Sequence, residues 1–316
     1  MDLVLEQRAK LIREFAQDLG FDDVGFVSAE PMQKESDFLE QWLEKGYHAG
    51  MDYMERNFEK RTNPAKLVEG AKSVVVCLQN YAPSRKEKPS GDYKISKYAY
   101  GRDYHKVVKN RLKKLFTFIQ SEVDPQADGR FFVDSAPVSE RALAASAGLG
   151  WRGKNTNLIH PRLGSFIFIG EIILNIDLPS GSPIKEACGG CTRCIEACPT
   201  DALRSPYELD SNRCISYLTI ENKGSISAEF AGKMEDWIFG CDICQDVCPW
   251  NWKARPHSEP DFKLWPVFKN MENQSWEELD AGCFDEISRG SPIRRAGFDG
   301  IKRNISFVVN AKDPDN

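Results

Sequence analysis

The sequence predicts an α+β fold in three parts. These are a mixed helix-and-strand (α/β) domain over residues 1–180, a cysteine-rich module over 181–256 and a short helical region over 257–316. Three observations predict it. Helical and strand periodicities alternate through the first 180 residues. Eight of the ten cysteines fall between Cys188 and Cys248. Proline and glycine punctuate both junctions, as Pro179 to Pro183 (PSGSP) and as Pro256 and Pro260.

The elements follow in order. Leu5, Ala9, Ile12, Ala16 and Leu19 share one helical face, and Gly20 ends it. Val24 to Val27 is a short strand. Phe38, Trp42 and Leu43 mark a second helix before Gly46. Val74 to Leu78 is continuous and β-branched, a buried strand with Cys77 as a packed core thiol. Pro83 to Asp92 is a charged loop. Val108, Leu112, Leu115 and Ile119 define a helix whose other face carries Lys109, Arg111, Lys113 and Lys114. Phe131 to Val133 is a strand running into Asp134. Ser139 reads as the N-cap of a helix that reaches Ala147 and stops at Gly148. Phe166 to Leu174 is the most apolar strand, with Glu171 inside it. Beyond the cysteines, Trp276 to Leu279 is helical, and Pro292 after Ser291 suits a first helical turn.

Composition removes whole classes. With 316 residues, 41% hydrophobic, 28% charged and a net charge of −5, the chain is neither disordered nor collagenous nor a coiled coil. Phe166 to Leu174 is its longest apolar run, far short of the roughly 20 residues of a membrane helix. The start, MDLVLEQRAK, lacks a signal peptide's basic and apolar regions. The expectation is a cytoplasmic protein without membrane association. In that compartment dense cysteines denote a metal or redox centre rather than disulfides.

The spacing says which. Cys188-x-x-Cys191-x-x-Cys194-x-x-x-Cys198-Pro199 is the bacterial-ferredoxin run for a [4Fe–4S] cluster. Cys241-x-x-Cys244-x-x-x-Cys248-Pro249 lacks the leading cysteine, which Cys214 can supply. In two-cluster ferredoxins the last cysteine of a run ligates the other cluster. One cluster is then Cys188, Cys191, Cys194 and Cys248, and the other Cys198, Cys214, Cys241 and Cys244. The alternative, a pair of zinc sites, uses C-x-x-C twice rather than a triple run closed by Cys-Pro. Such a ferredoxin-like module carries electrons, and the 180 residues before it suggest a built-in destination.

Asp134, at a strand end beside a turn, is placed to act as a general acid if an apolar wall raises its pKa. Gly148-Leu149-Gly150-Trp151-Arg152-Gly153 fits G-x-G-x-x-G but follows a helix. A dinucleotide site is therefore not expected, and the glycines read as room for backbone beside a bulky ligand. Lys154, Asn155, Asn157 and His160 form a polar set behind it. Asp103-x-His105-x-x-Val108 departs at its last position from the D-x-H-x-x-G signature of cobalt-ligating histidines. It reads as coincidence, with His105 on a helix surface.

Four segments together resemble the epoxyqueuosine reductase family. They are Val133 to Ile159 (VDSAPVSERALAASAGLGWRGKNTNLI), Cys188 to Leu203 (CGGCTRCIEACPTDAL), Arg213 to Gly224 (RCISYLTIENKG) and Phe239 to Asn251 (FGCDICQDVCPWN). The resemblance implies reduction of epoxyqueuosine to queuosine at the tRNA wobble position. It implies cobalamin in the first domain, fed by two [4Fe–4S] clusters and an external low-potential electron donor. Asp134 falls on the family's proton-donor position, which requires burial against apolar surface to stay protonated. Expected cobalamin contacts are Asn57, Lys97, Asp134, Arg141, Lys154, Asn157, His160, Ser165 and Ser216, with Cys214 to Gly224 closing over the cofactor. Expected tRNA contacts are Lys223, Arg294, Arg295 and Arg303, plus the basic helix face at Lys109. A monomer is expected. Many family members continue into a helical-repeat domain, whereas this sequence stops at Asn316. The rival expectations are a reductive-dehalogenase-like reductase of small molecules and a ferredoxin-like carrier with no chemistry of its own.

Overall fold

The computed structural model describes residues 3–312. Helix α1 (Leu3–Asp18) turns at Gly20, whose φ is +94°, into strand β1 (Asp23–Ser28). Helix α2 (Gln33–Glu44) follows, then β2 (Ser73–Asn80), α3 (Tyr104–Phe118), β3 (Gly129–Phe132), α4 (Glu140–Ser146) and β4 (Ile167–Leu174). The four strands form one sheet in the order β1-β2-β4-β3, and every pairing is antiparallel. The first domain is therefore α+β in its connectivity, not the α/β arrangement its apolar runs suggested. Those runs report that helices cover both faces of the sheet, which they do whatever the strand direction.

Alternation along β4 sorts the two faces. Phe168, Ile172 and Leu174 pack with Ile12 and Ala16 of α1 and Leu112 and Leu115 of α3. Ile167, Ile169 and Ile173 pack with Leu143, Ala144 and Ala147. Gly170 lets α3 approach: a side-chain carbon there would lie 2.9 Å from both Val108 and Leu112. Glu171 falls on the α4 face by the same alternation and is fully buried. Cys77 packs in the α1–α3 core, as expected.

A second core joins distant stretches of chain. Ile95, Ala99 and Tyr100 meet Ile215, Leu218, Trp237 and Phe239, together with Phe268, Trp276, Phe284 and Ile301. The short strand Trp237–Phe239 runs parallel to Lys94–Ile95. Helix α5 (Ile215–Ile220) and the last helix, α6 (Gly297–Lys312), pack here. The buried Asn304 pins α6 by donating to the carbonyls of Thr219 (2.9 Å) and Ile238 (2.8 Å). Pro292–Arg295 is a 3₁₀ turn capped by Ser291, so the helix proper starts later than Pro292 suggested. Ser139 makes no side-chain cap on α4. Among the described residues, no helix is long and apolar enough to cross a membrane.

Candidate functional site: an acid turn beside two sets of thiols

Strand β3 ends one residue before Val133, and the chain then reverses through Asp134. Asp134 adopts φ +47°, a left-handed conformation that is strained for a residue with a side chain. Two contacts hold it there. Its backbone N–H donates to Glu140 Oε1 at 2.6 Å, and its Oδ2 accepts from the Tyr104 hydroxyl. His105 Nε2 stands 3.7 Å from the same Oδ2. The other ring nitrogen of His105 faces Asp103 Oδ1 at 2.7 Å, and Asp103 caps α3 by accepting from the His105 N–H. Tyr104 is anchored by stacking on Phe168 with ring centroids 4.1 Å apart. Burial, and then the Asp134 carboxylate, push the Tyr104 phenol well above its usual range. It therefore stays a hydrogen-bond donor.

The turn lifts Asp134 out of the apolar wall it was expected to occupy. Its side chain is 59% exposed. Two neighbouring acids are drawn further from water, Glu140 half-buried and Glu171 fully buried. Burial, then the neighbouring Asp134, push Glu140 up to about 8. Glu171 is raised well above the carboxylate range by burial, then by Glu140 and Asp134, and neither of its oxygens has a hydrogen-bond partner. In front of Asp134, Tyr53, Tyr98, Arg61 and Arg295 lie within electrostatic reach. Arg61 Nε is a buried donor with no partner.

All eight clustered cysteines are free thiols, and they fall into two sets. Cys188, Cys194 and Cys248 interact with one another, and Cys191 with Cys248. Cys241 interacts with Cys214 and Cys244, and both Cys214 and Cys244 with Cys198. Cys244 also senses Cys194, so the sets abut. Burial pushes Cys194 up to about 11 and Cys244 well above the ordinary thiol range. A bound cationic centre offsets that cost by taking the thiolate.

The polar residues expected around a cofactor divide. Arg141 is exposed and touches only the Thr156 carbonyl (3.3 Å), and Asn57 and Asn157 carry no side-chain partner among the described contacts. Ser216 lies at the start of α5, and its backbone N–H points at the Cys214 thiol. The others are engaged elsewhere. His160 is buried, with Nε2 on Asp23 (3.0 Å) and Nδ1 accepting from the N–H groups of Arg162 and Leu163 (3.1 Å each). Ser165 is buried under Gln245 and Asn251. Lys97 pairs with Asp246 and with the buried Asp242 (3.5 Å). Lys154 donates to the carbonyls of Gly189 (2.6 Å) and Cys191 (3.1 Å), and Asn155 to that of Cys244 (3.2 Å). These residues fasten the first domain to both thiol sets. At Gly150 and Gly153 the space of a side chain is taken by the protein itself. A side-chain carbon at either would meet Ile159 at 2.5 Å, so they serve the hairpin of Trp151–Arg152 with Leu158–Ile159.

The expected RNA-facing cations are largely paired. Arg303 donates to the carbonyls of Asn222 (2.6 Å), Gly224 (2.7 Å) and Leu218 (2.8 Å), a structural clamp on the end of α5. Arg295 grips Glu221 with two hydrogen bonds (2.9 and 2.8 Å), and Arg294 pairs with Asp285 (2.7 Å). Lys223 donates to the carbonyls of Ile220 and Arg295. Arg294 and Arg295 remain more than half exposed. On α3, Arg111 is pulled inward by Glu259, whereas Lys109, Lys113 and Lys114 face solvent.

Sequence reasoning missed Tyr104, Asp103, His105 and Glu140. His105 belongs beside Asp134 rather than on an idle helix surface. Its signal was three polar residues, Asp-Tyr-His, at a helix start. The one acid inside the most apolar strand was the signal for Glu171.

Residues 61–135 match a family model described as "Epoxyqueuosine reductase QueG, DUF1730", and residues 187–251 match a "4Fe-4S double cluster binding domain". The chain is 52% identical over 302 residues to an epoxyqueuosine reductase of Leadbetterella byssophila, covering 95% of this chain and 98% of that one. Its fold matches a crystal structure of epoxyqueuosine reductase with an epoxyqueuosine-modified tRNA-Tyr stem loop. There the TM-score is 0.90 at 32% identity, over 98% of this chain and 82% of that one. A Bacillus subtilis epoxyqueuosine reductase with its catalytic aspartate loop swung out of the active site matches with TM-score 0.88 at 31% identity, covering 98% and 82%. Turn, thiols and likeness over nearly the whole length agree, and the chain belongs to the epoxyqueuosine reductase family.

Proposed function

We propose that this protein reduces epoxyqueuosine in a tRNA anticodon loop to queuosine, with Asp134 delivering protons to the departing epoxide oxygen. The observation that carries this reading is the strained Asp134 turn, held against Tyr104 in a chain that also bears a double-cluster module. Replacing an epoxide by an alkene consumes two electrons and two protons and releases water. One carboxyl in hydrogen-bond reach of the oxygen can protonate it as the C–O bonds break. The Tyr104 hydroxyl and the Asp103-oriented His105 fix where the Asp134 carboxyl points.

Electrons enter from an external low-potential donor. They pass through a [4Fe–4S] cluster on Cys188, Cys191, Cys194 and Cys248 to a second on Cys198, Cys214, Cys241 and Cys244. Cobalamin, when bound, supplies the redox-active cobalt between this wire and the substrate. Residues that suit it are Asn57 and Asn157, whose side chains carry no partner among the described contacts, Arg141, exposed beyond its bond to the Thr156 carbonyl, and Arg61, whose orphaned Nε–H requires an acceptor such as an amide. Ser216 lies beside the second thiol set and suits the same role. The protein acts as a cytoplasmic monomer. The anticodon loop approaches over Tyr53 and the Glu221–Arg295 pair, which share the Asp134 neighbourhood.

The test is reconstituted protein on epoxyqueuosine-containing tRNA with a low-potential reductant. Queuosine should form, and Asp134→Asn should abolish it while tRNA affinity stays within twofold. Full activity in Asp134→Asn would remove Asp134 as the donor.

A further inference from the structure

The reaction needs two protons, and a single carboxyl holds one. Behind Asp134 stand two more acids that the mechanism above does not use. We propose that Glu140 is the proton store of the site, recharging Asp134 between the two proton deliveries. This rests on Asp134 being the donor.

Geometry places Glu140 for the task. Its Oε1 accepts from the Asp134 backbone N–H at 2.6 Å, so the two carboxyls lie within one residue's own bonds of each other. The Asp134 oxygen Oδ2 is held by Tyr104, so the proton relay between the two carboxyls runs through one water. Glu140 sits on the first turn of α4, whose Leu143 and Ala144 are fully buried. Asp134 sits on the strained turn. The store is fixed on a packed helix, and the outlet stands on an exposed turn.

The surroundings keep Glu140 protonated at neutral pH. The groups facing it are Asp134 on its turn, Glu171 on β4, Tyr104 on α3, Arg61 on the Phe58–Thr62 helix and Arg141 beside it on α4. Burial and the Asp134 charge raise it, the two arginines oppose them, and the net position is about 8. Below that pH the acid is loaded, and above it the store is empty. Glu171, fully buried with both oxygens unpartnered, backs the pair with a third acid held neutral.

The step balances. With Asp134 resting as a carboxylate, Glu140 passes its proton to it, and Asp134 delivers that proton to the epoxide oxygen as the first C–O bond breaks. Glu140 takes a second proton from solvent and passes it on. Asp134 then protonates the hydroxyl, which leaves as water as the alkene forms. The two electrons come from the external donor, and Glu140 reloads from solvent.

Glu140→Gln separates storage from positioning, because the amide oxygen still accepts from the Asp134 N–H but carries no acidic proton. Infrared pH titration of the protein as purified, without cofactor or substrate, should show a protonated-carboxyl band that disappears near pH 8 and is absent in Glu140→Gln. In Asp134→Asn the band should persist and titrate at lower pH, since the raising charge is gone. This arm holds whether or not Asp134 is the donor. In single-turnover assays the wild type should lose rate above about pH 8. Glu140→Gln should be at least about 100-fold slower, without that alkaline limb and with unchanged tRNA affinity. No carboxyl titrating near pH 8 overturns the proposal. So does a Glu140→Gln enzyme with wild-type rate and the same limb.

Discussion

The two thiol sets share a motif and differ in setting. The Cys188 set is flanked by exposed chain from Gly181 to Ala187, and Gly189 and Gly190 face open space. Its apolar wall is thin: Trp151 and Trp250 meet edge-on at 4.8 Å beside Cys248. The Cys214 set is embedded. Cys241 and Ile243 pack on the second core, and between them the fully buried Asp242 accepts from the Lys97 N–H at 2.8 Å. At Gly240 a side-chain carbon would strike Ser96 at 2.5 Å. The contrast teaches that one spacing rule serves two settings, a set whose loops face open space and a set packed on a core. We expect the first to meet the external electron donor and the second to pass electrons inward.

The largest test of that contrast is loss of the embedded set. Cys244→Ser should remove about half of the eight irons expected of two [4Fe–4S] clusters and bring tRNA reduction to background with any reductant. Iron analysis and product assay check it, and retention of both clusters would break the grouping. Cys191→Ser should do something different. A small chemical reductant should still drive turnover through the embedded set, while a protein donor should lose at least tenfold in rate. Equal losses with both reductants would erase the distinction between outer and inner ends. Lys154→Ala comes next. It removes the clamp on the Gly189 and Cys191 carbonyls, worth about 1–3 kcal/mol. Faster iron release to a chelator from the outer set alone should follow, with turnover at saturating reductant unchanged. The smallest effect belongs to the paired surface cations. Arg294→Ala and Arg295→Ala should each lower the salt dependence of tRNA binding by less than one phosphate's worth. Glu221 and Asp285 already neutralise them.

The wire was the most legible part of the sequence, because thiolate spacing is local and each loop wraps its own ligands. The supply of Cys214 to the second run also emerged from counting alone. The acid site was half legible. Asp134 stood out, yet the sequence suggested that burial keeps it protonated, and the structure exposes it, half-buries Glu140 and fully buries Glu171. Strand alternation could have flagged Glu171, but nothing local says that Glu140 reaches back six residues to the turn. His160 and Ser165 show what sequence leaves open. Polar residues clustered near a glycine-rich segment resemble ligands in sequence. Here they satisfy backbone and inter-segment hydrogen bonds. The antiparallel sheet was hidden because helices on both faces make strands of either direction uniformly apolar.

The second core has a consequence for how the protein is made. Lys97 finds Asp242 across 145 residues, and Asn304 closes over α5 and the Trp237–Phe239 strand from still further along. On a ribosome, the strand Lys94–Ile95 must wait without its partner while the chain from there to Trp237 is synthesised. The scaffold of the inner metal centre is complete only when α6 has emerged. Iron–sulfur loading of the inner centre should therefore wait for α6, while the outer centre tolerates earlier delivery.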